Sequence, residues 1–339
     1  MAEKRITQRD VALRAGVGRS AVSMAFRNDP GIPPATRERI RRIAAEIGYS
    51  PDPMLTALAA YRTRLRPSNY HGTLAWLFSS RGGYDWTRFS QFRDYHEGAR
   101  QAAQHHGFSI ETFDLARRGA GPEKIASIFR ARNITGILVC PQPAAETEIT
   151  GFPWDNFSAV SFGYTLKVPR LHTVAAAQFQ ASIDCAQRLL AAGCRRIGFV
   201  LAGNHIKRTN LTYLGGFLAA LEMAGESVRI PPLINAQPEP ESMMAWLDHY
   251  KPDGIVGGYY MAEWLGKSGL RMPDDVCLAS PSVREREGDI SGVWENSPQI
   301  GVAACNLLVS LLHRGERGVP EVPQRVTVLG LPVVGKTAR

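Results

Sequence analysis

No stretch of this 339-residue chain approaches 18 continuous apolar residues, so no membrane-spanning helix is expected. The first residues, "MAEKRITQRD", carry no apolar segment, so no secretory signal is expected. Cysteine is scarce. Cys140, Cys185, Cys194, Cys277 and Cys305 are scattered and never fall in a CxxC spacing. That argues against a disulfide framework or a zinc site, and for reduced core thiols in a cytoplasmic protein. No GxSxG and no Ser/His/Asp set in a convincing context occurs, and "GKSGL" (266–270) lacks the upstream glycine of a phosphate-binding loop. His105 and His106 are adjacent, so on a helix they point about 100° apart and do not readily share an ion. These absences leave no catalytic residue, metal ligand or cofactor to nominate, and an enzyme is not expected.

What is present is a lopsided charge. The chain carries a net +9, and residues 1–66 hold 13 Lys/Arg against 6 Asp/Glu while the remainder holds 27 against 25. A basic segment attached to a near-neutral body is the electrostatic footprint of nucleic-acid binding. A solubilising tail would need no pattern, and this segment is patterned to fold.

Thr7 with Asp10 three residues on resembles a capping box, and Val11, Ala12 and Ala15 give a short apolar face, predicting a helix over about 8–15. Gly16 suits the left-handed residue that ends a helix. A second helix over about 18–26 has Ala21, Val22, Ala25 and Phe26 inside, with Arg19, Ser20, Ser23, Met24 and Arg27 on or near the other face. Pro33-Pro34 opens a third, about 34–47, burying Ile40, Ile43, Ala44 and Ile47. Two glycines between short helices, followed by Arg and Ser, make a helix-turn-helix whose second helix reads base edges in the major groove. "YSPDPMLTALAAYRTRLRP" (49–67) is too short for a domain and reads as a hinge, helical only in context.

The order Asp10-Val11-Ala12, Ala15-Gly16-Val17, Val22-Ser23, Thr36-Arg37-Glu38-Arg39-Ile40 and Gly48-Tyr49-Ser50-Pro51 resembles the lac-repressor (LacI) family, nearly without gaps over residues 6–60. The resemblance implies a homodimer that sets two heads on a pseudo-palindromic operator of double-stranded DNA. It implies a hinge helix that orders on DNA and wedges Leu58 into the minor groove, where inserted apolar side chains kink DNA. Arg19, Ser20 and Met24 fall on base-reading positions. Thr7, Ser23, Thr36 and Tyr49 fall on positions that touch or support the phosphate backbone, and Gln8, Ala21 and Arg27 complete the DNA-facing set. Gly18 replaces a Ser usual in the family, and Met24 stands where a polar residue is frequent. Both leave the operator sequence open.

From about residue 72, strands and helices alternate. Strands are expected at 72–78, 108–115, 134–140, 158–163, 196–202, 253–258 and 274–280. Helices are expected at 92–107, 123–132, 178–194, 212–225 and 298–315. Such alternation predicts an α/β body with parallel sheets covered on both faces. The runs "LLAAGCRRIGFVLAG" (189–203), "GGFLAALEMAG" (215–225), "GLRMPDDVCLAS" (269–280) and "RGERGVPEVPQRV" (314–326) extend the resemblance over almost the whole chain. It implies a periplasmic-binding-protein-like body of two doubly wound parallel-sheet subdomains with an effector cleft between them. The expected division is a head over 1–50, a hinge and linker over 51–66, and a body over 67–339. Within the body, 67–167 and 298–325 form one subdomain, and 168–297 and 326–339 the other, with crossings near 165–178, 292–298 and 325–330.

Ligands in such folds lie beyond strand C-terminal ends. That rule nominates Ser79, Arg81 and Phe89, then Gln142, Tyr164, Asn204 and Arg208, then Tyr259, Trp264, Ser282 and Glu295 as effector-binding residues. Tyr213 joins them, at a position where the family usually has Arg. Ser282 replaces a usual Asp, and Gly258-Tyr259 a usual Asn-Asp pair. Aromatic side chains beside hydrogen-bonding groups suit a sugar or nucleoside. Losing those polar groups weakens the sugar reading, and Arg81, Arg208 and Arg284 leave a phosphorylated or acidic effector open, as well as a cleft without one. The expected function is a ligand-responsive DNA-binding repressor acting as a homodimer, with no membrane partner. "LGLPVVGKTAR" shows no leucine-heptad tail, which favours a dimer over a tetramer. The alternatives are a solute-binding protein of the same body fold, which requires export, and an enzyme with an added head, which requires a catalytic set.

Overall fold

The computed structural model describes residues 6–26, 31–49, 72–117, 121–225, 229–234 and 240–339. The head is three helices, α1 (Gln8–Ala15), α2 (Arg19–Phe26) and α3 (Pro34–Glu46). Both the Thr7 backbone N–H and its hydroxyl donate to the Asp10 carboxylate, at 2.8 and 2.7 Å, so Asp does the work that Glu or Gln does in the usual box. Gly16 adopts φ 64° and ends α1, as the turn requires. The second helix starts at Arg19 rather than Gly18. Val11, Ala12, Ala15, Val22, Ala25, Ile40 and Ala44 form the buried centre, with Phe26 edge-on to Tyr49 at 5.6 Å. Helices of 8, 8 and 13 residues are marginal alone in water, so this shared centre holds them. Arg27, Leu58 and the expected hinge over 51–66 lie outside the described residues.

The body begins with β1 (Gly72–Phe78), α4 (Ser90–His105), β2 (Phe108–Asp114), α5 (Pro122–Ala131), β3 (Gly136–Val139), β4 (Thr147–Glu148), β5 (Ser158–Phe162), β6 (Leu166–Val168) and β7 (His172–Ala176). It continues with α6 (Gln178–Ala191), β8 (Ile197–Val200), α7 (Gly203–Arg208), α8 (Thr212–Met223), α9 (Pro240–Tyr250), β9 (Gly254–Gly257), α10 (Met261–Lys267), β10 (Cys277–Val283) and β11 (Gly292–Trp294). It closes with α11 (Ser297–Arg314), β12 (Arg325–Val328) and β13 (Leu331–Val333). Six strands form one sheet in the order β12-β7-β5-β3-β1-β2, and five form a second in the order β13-β11-β10-β9-β8.

All pairs in the first sheet are parallel. The second is parallel except for its edge strand β13, which runs antiparallel to β11. The expected strand at 274–280 is observed at Cys277–Val283. The chain changes sheets after Ala176, between Trp294 and Ser297, and between Val328 and Leu331. The boundaries expected at 167/168 and 325/326 are therefore too early. His172–Ala176 pairs with β5, and Arg325–Val328 pairs along its whole length with β7, so both belong to the first sheet.

Side-chain alternation divides each sheet between two cores. On β1, Leu74 and Trp76 join α4 and α11, while Ala75 and Leu77 join α5 on the other face. In the second sheet, Phe199, Val256 and Ala279 face α6 and α8, while Val200, Ile255 and Leu278 face α9 and α10. Fully buried parallel strands read as continuous apolar runs, which these are.

Helices α4 and α11 meet backbone to backbone. A Cβ at Gly98 would lie 2.0 Å from the Pro298 carbonyl oxygen, and one at Gly301 would lie 2.0 Å from that of Tyr95. Gly301→Ala should therefore destabilise the body by about 1–3 kcal/mol, because a carbonyl cannot swing aside as a side chain can. Gly266→Ala, in α10 with nothing within 4 Å, should stabilise by roughly 0.5–1 kcal/mol. Urea unfolding midpoints of the two variants check both signs. A Gly301→Ala midpoint equal to the parent's would refute the close contact.

Candidate functional site

The head presents one face for contact. Val22 and Ala25 of α2 are fully buried, which turns Arg19 and Ser20 to solvent at its N-terminal end and leaves Ala21, Ser23 and Met24 half-exposed. Thr7 is exposed just ahead of α1, with Gln8 half-exposed beside it. Thr36 lies in the first turn of α3, and Tyr49 packs against the centre of the head through Phe26. Arg41 of α3 donates to the Ala25 carbonyl at 3.3 Å, tying the end of α2 down. An exposed Arg and Ser opening a helix that its own core orients is the arrangement needed to offer hydrogen bonds to base edges.

In the body, the C-terminal ends of the two sheets face each other. Arg208, at the end of α7 after β8, donates through Nη1 to the Gln142 carbonyl at 2.7 Å and to that of Pro143, both just beyond β3. Tyr84, after β1, donates to the Pro141 carbonyl at 2.8 Å, and burial pushes its phenol well up. The Gln142 backbone N–H donates to Thr165 Oγ1 at 2.7 Å. Its side-chain amide donates to the Cys140 carbonyl at 2.6 Å, and its buried Oε1 has no hydrogen-bond partner among the described residues.

Further in, Tyr95 of α4 donates to Glu295 on the second crossing, and its ring stacks on Phe162 at 5.3 Å. Burial pushes the Glu295 carboxyl above its usual range, against the hydrogen bonds from Tyr95 and Ser297. Tyr213 is 2% exposed, inside the core of the second layer, and burial pushes its phenol well up. Tyr259 lies beneath Arg284, whose guanidinium is 4.3 Å from the ring centroid. Trp264 packs on Tyr260 at 5.3 Å, among the residues around the second core.

The open space lies to one side of these contacts. A cavity of about 1270 Å³ is lined from the first layer by 143–146, Tyr164, 166–167, 170–171, Thr173 and 323–325, and from the second by Asn204, 207–208 and 210–211. Of the effector residues expected from sequence, Tyr164, Asn204 and Arg208 line it. Tyr213 and Trp264 are engaged in packing against the two cores of the second layer, and Gln142 is buried and held by hydrogen bonds to Thr165 and Cys140. Ser79 accepts from the Arg81 N–H at 3.4 Å, Arg81 is exposed, and the Phe89 ring lies tilted against Tyr84 and Phe92. Lys167, Arg170, Lys207 and Arg325 were not foreseen. They come from separate segments, and in sequence each looks like any solvated basic residue.

Among the described residues, no group of three or more His, Cys, Asp or Glu could hold a metal ion, and no helix is long and apolar enough to cross a membrane.

His205, on the same helix as Arg208, is pushed down to about 4 by burial and by that neighbouring cation. The folded chain thus keeps this imidazole neutral down to about pH 4, whereas the unfolded chain protonates it near its ordinary 6.5. Its contribution to stability is present above pH 6.5 and is lost as pH falls through the window to about 4. Urea stability of the parent should fall relative to His205→Gln between pH 7 and about 4.5, and parallel curves would show that the ring is not held neutral.

Comparison with known proteins agrees with both parts. Residues 7–52 match the family described as bacterial regulatory proteins, lacI family, and residues 186–337 match the periplasmic binding protein-like domain. The chain is 24% identical over 292 residues to the HTH-type transcriptional repressor CytR of Escherichia coli K12, covering 81% of this chain and 80% of CytR. It is 24% identical over 337 residues to the HTH-type transcriptional regulator CelR of Thermobifida fusca, covering 90% and 92%. Among solved structures, the lac repressor dimer bound to operator and the anti-inducer ONPF superposes with a TM-score of 0.55 at 16% identity, covering 98% of this chain and 99% of that one. The chain thus pairs a head that matches the lacI family with a body that matches the periplasmic binding protein-like domain, and in this it is similar to LacI-family transcription regulators.

Proposed function

We propose that the chain is a transcriptional repressor that binds a pseudo-palindromic operator as a homodimer and changes its affinity when a small molecule enters the cleft between the two body layers. The observation that carries this reading is the orientation of α2. Its buried Val22 and Ala25 leave Arg19 and Ser20 free at the end that would meet base edges. One such head spans too few base pairs for useful discrimination, which supports pairing of two. The relatives point the same way: one solved structure of this fold is a lac repressor dimer on its operator, and another is a CelR–cellobiose complex. We assign residues 1–50 to the head, 51–66 to the hinge, and the rest to the effector-binding and dimerisation body, and place its action in the cytoplasm. The cleft joins segments of both layers, so a ligand that prefers one closure biases the geometry of the paired heads. Such coupling is typically about 1–3 kcal/mol in operator affinity. A solute-binding role without gene regulation would leave the patterned basic head without a use.

Selection of bound DNA from a random pool tests the reading directly. An enriched palindrome with a flexible central step supports it, and a pool without enrichment in the presence and absence of metabolite extract rejects it. On the selected site, Arg19→Ala should cost about 1–3 kcal/mol and relax preference at one base pair per half-site. Operator affinity of the parent should fall steeply with salt, as phosphate contacts demand, and a flat salt dependence would rule out the proposed interface. Leu58→Ala should weaken operator binding more than binding to random DNA, and equal losses would remove the minor-groove wedge.

A further inference from the structure

The centre of the cleft is filled by the chain itself. Tyr95 bonds Glu295, Tyr84 and Arg208 reach the 141–143 carbonyls, and Tyr213 is closed into the second core. The open volume is the cavity at the rim, and its walls are strongly one-sided in charge. Lys167, Arg170, Lys207, Arg208 and Arg325 face a single acid, Glu146. Glu146 is already paired with Lys167 at 3.5 Å. Arg208 is committed to two carbonyls, and Arg325 lies 4.4 Å over the ring of Tyr164. The side chains of Arg170 and Lys207 have neither an ion pair nor a hydrogen bond among the described residues.

Charges of one sign gathered around one cavity repel each other, and a bound anion relieves that repulsion. A guanidinium held over an aromatic ring has its position fixed while its N–H donors stay available, and such a fork suits the bidentate geometry of a phosphate. The cavity is as large as those that hold drug-sized ligands, so it accommodates a sugar-sized body as well as an anionic head.

From this we infer that the effector is a phosphorylated small molecule rather than a neutral sugar. Its phosphoryl group is held at the rim between Arg170, Lys207 and Arg325, displaced from the self-filled centre of the cleft. This inference rests on the reading of the body as an effector-binding unit. A ligand there touches both layers beside Arg208, so it acts on the same contact that joins them.

The test is calorimetric titration of the full-length protein with inorganic phosphate, glucose 6-phosphate, glucose and cellobiose. Three proteins are compared: the parent, Arg170→Ala/Lys207→Ala, and Arg19→Ala as a control for anions binding the basic head. The two rim residues are exposed, so the double variant is expected to fold. Glucose 6-phosphate should bind the parent and Arg19→Ala alike, more weakly as salt rises from about 50 to about 300 mM. The double variant should bind it about tenfold or more weakly, since each lost contact is a charged hydrogen bond. Equal binding by parent and double variant overturns the site. Binding of glucose or cellobiose with none of the phosphorylated probe overturns the anionic class while leaving the effector reading in place. If no probe binds, the phosphoryl site falls. The effector reading is then judged separately, by whether a deproteinised metabolite extract shifts operator affinity.

Discussion

The contact on which the body depends is the one between α4 and α11, where Gly98 and Gly301 let two helix backbones touch. Helix α11 follows the second crossing, so its position decides how the chain returns from the second layer to the first. Its buried face, with Ile300, Ala304, Cys305 and Leu308, completes the core over β1, β3 and β5. Just ahead of it, Glu295 meets Tyr95 of α4. One pair of small residues therefore sets the packing of the two helices and, through Tyr95, the surroundings of the buried Glu295 carboxyl. Interiors are packed densely enough that such a contact has no slack.

The cleft is a joint as well as a cavity. Arg208 and Tyr84 spend their hydrogen bonds on main-chain carbonyls at residues 141–143, groups that would otherwise face a ligand or water. Burying a guanidinium costs free energy unless it is hydrogen-bonded, and here Nη1 of Arg208 is bonded to two carbonyls of the opposite layer. Arg208 thus ties the layers through a polar contact of the kind a ligand can exchange for its own.

The head was nearly transparent in sequence because local signals decide it. Thr7 and Asp10 cap α1, Gly16 ends it, and the apolar spacing of α2 and α3 matches the helical period. The larger strands and helices of the body were legible for the same reason, as unbroken apolar runs between glycines. Strand β12 was not, since Arg325, Val326 and Thr327 are exposed on a sheet edge and show no burial pattern. Strand β13 contains Pro332, which speaks against a strand unless it is an edge, as it is here. The loops after β5 and β8 yielded Tyr164, Asn204 and Arg208 because strand C-terminal ends are a general rule. Arg170 lies between two strands, and Arg325 opens a third, that the sequence did not reveal, so no rule could bring them together.

Three crossings mean that neither layer is one continuous piece of chain. The first sheet gains its edge strand only at Arg325–Val328 and the second only at Leu331–Val333. During synthesis, residues 72–176 emerge as five of six strands with one face still lacking α11, and the second layer likewise waits for its last strand. The head, by contrast, is complete once residue 49 has emerged. The order of translation therefore delivers the helix-turn-helix head well before the body can close, and both layers must be finished almost at the same moment.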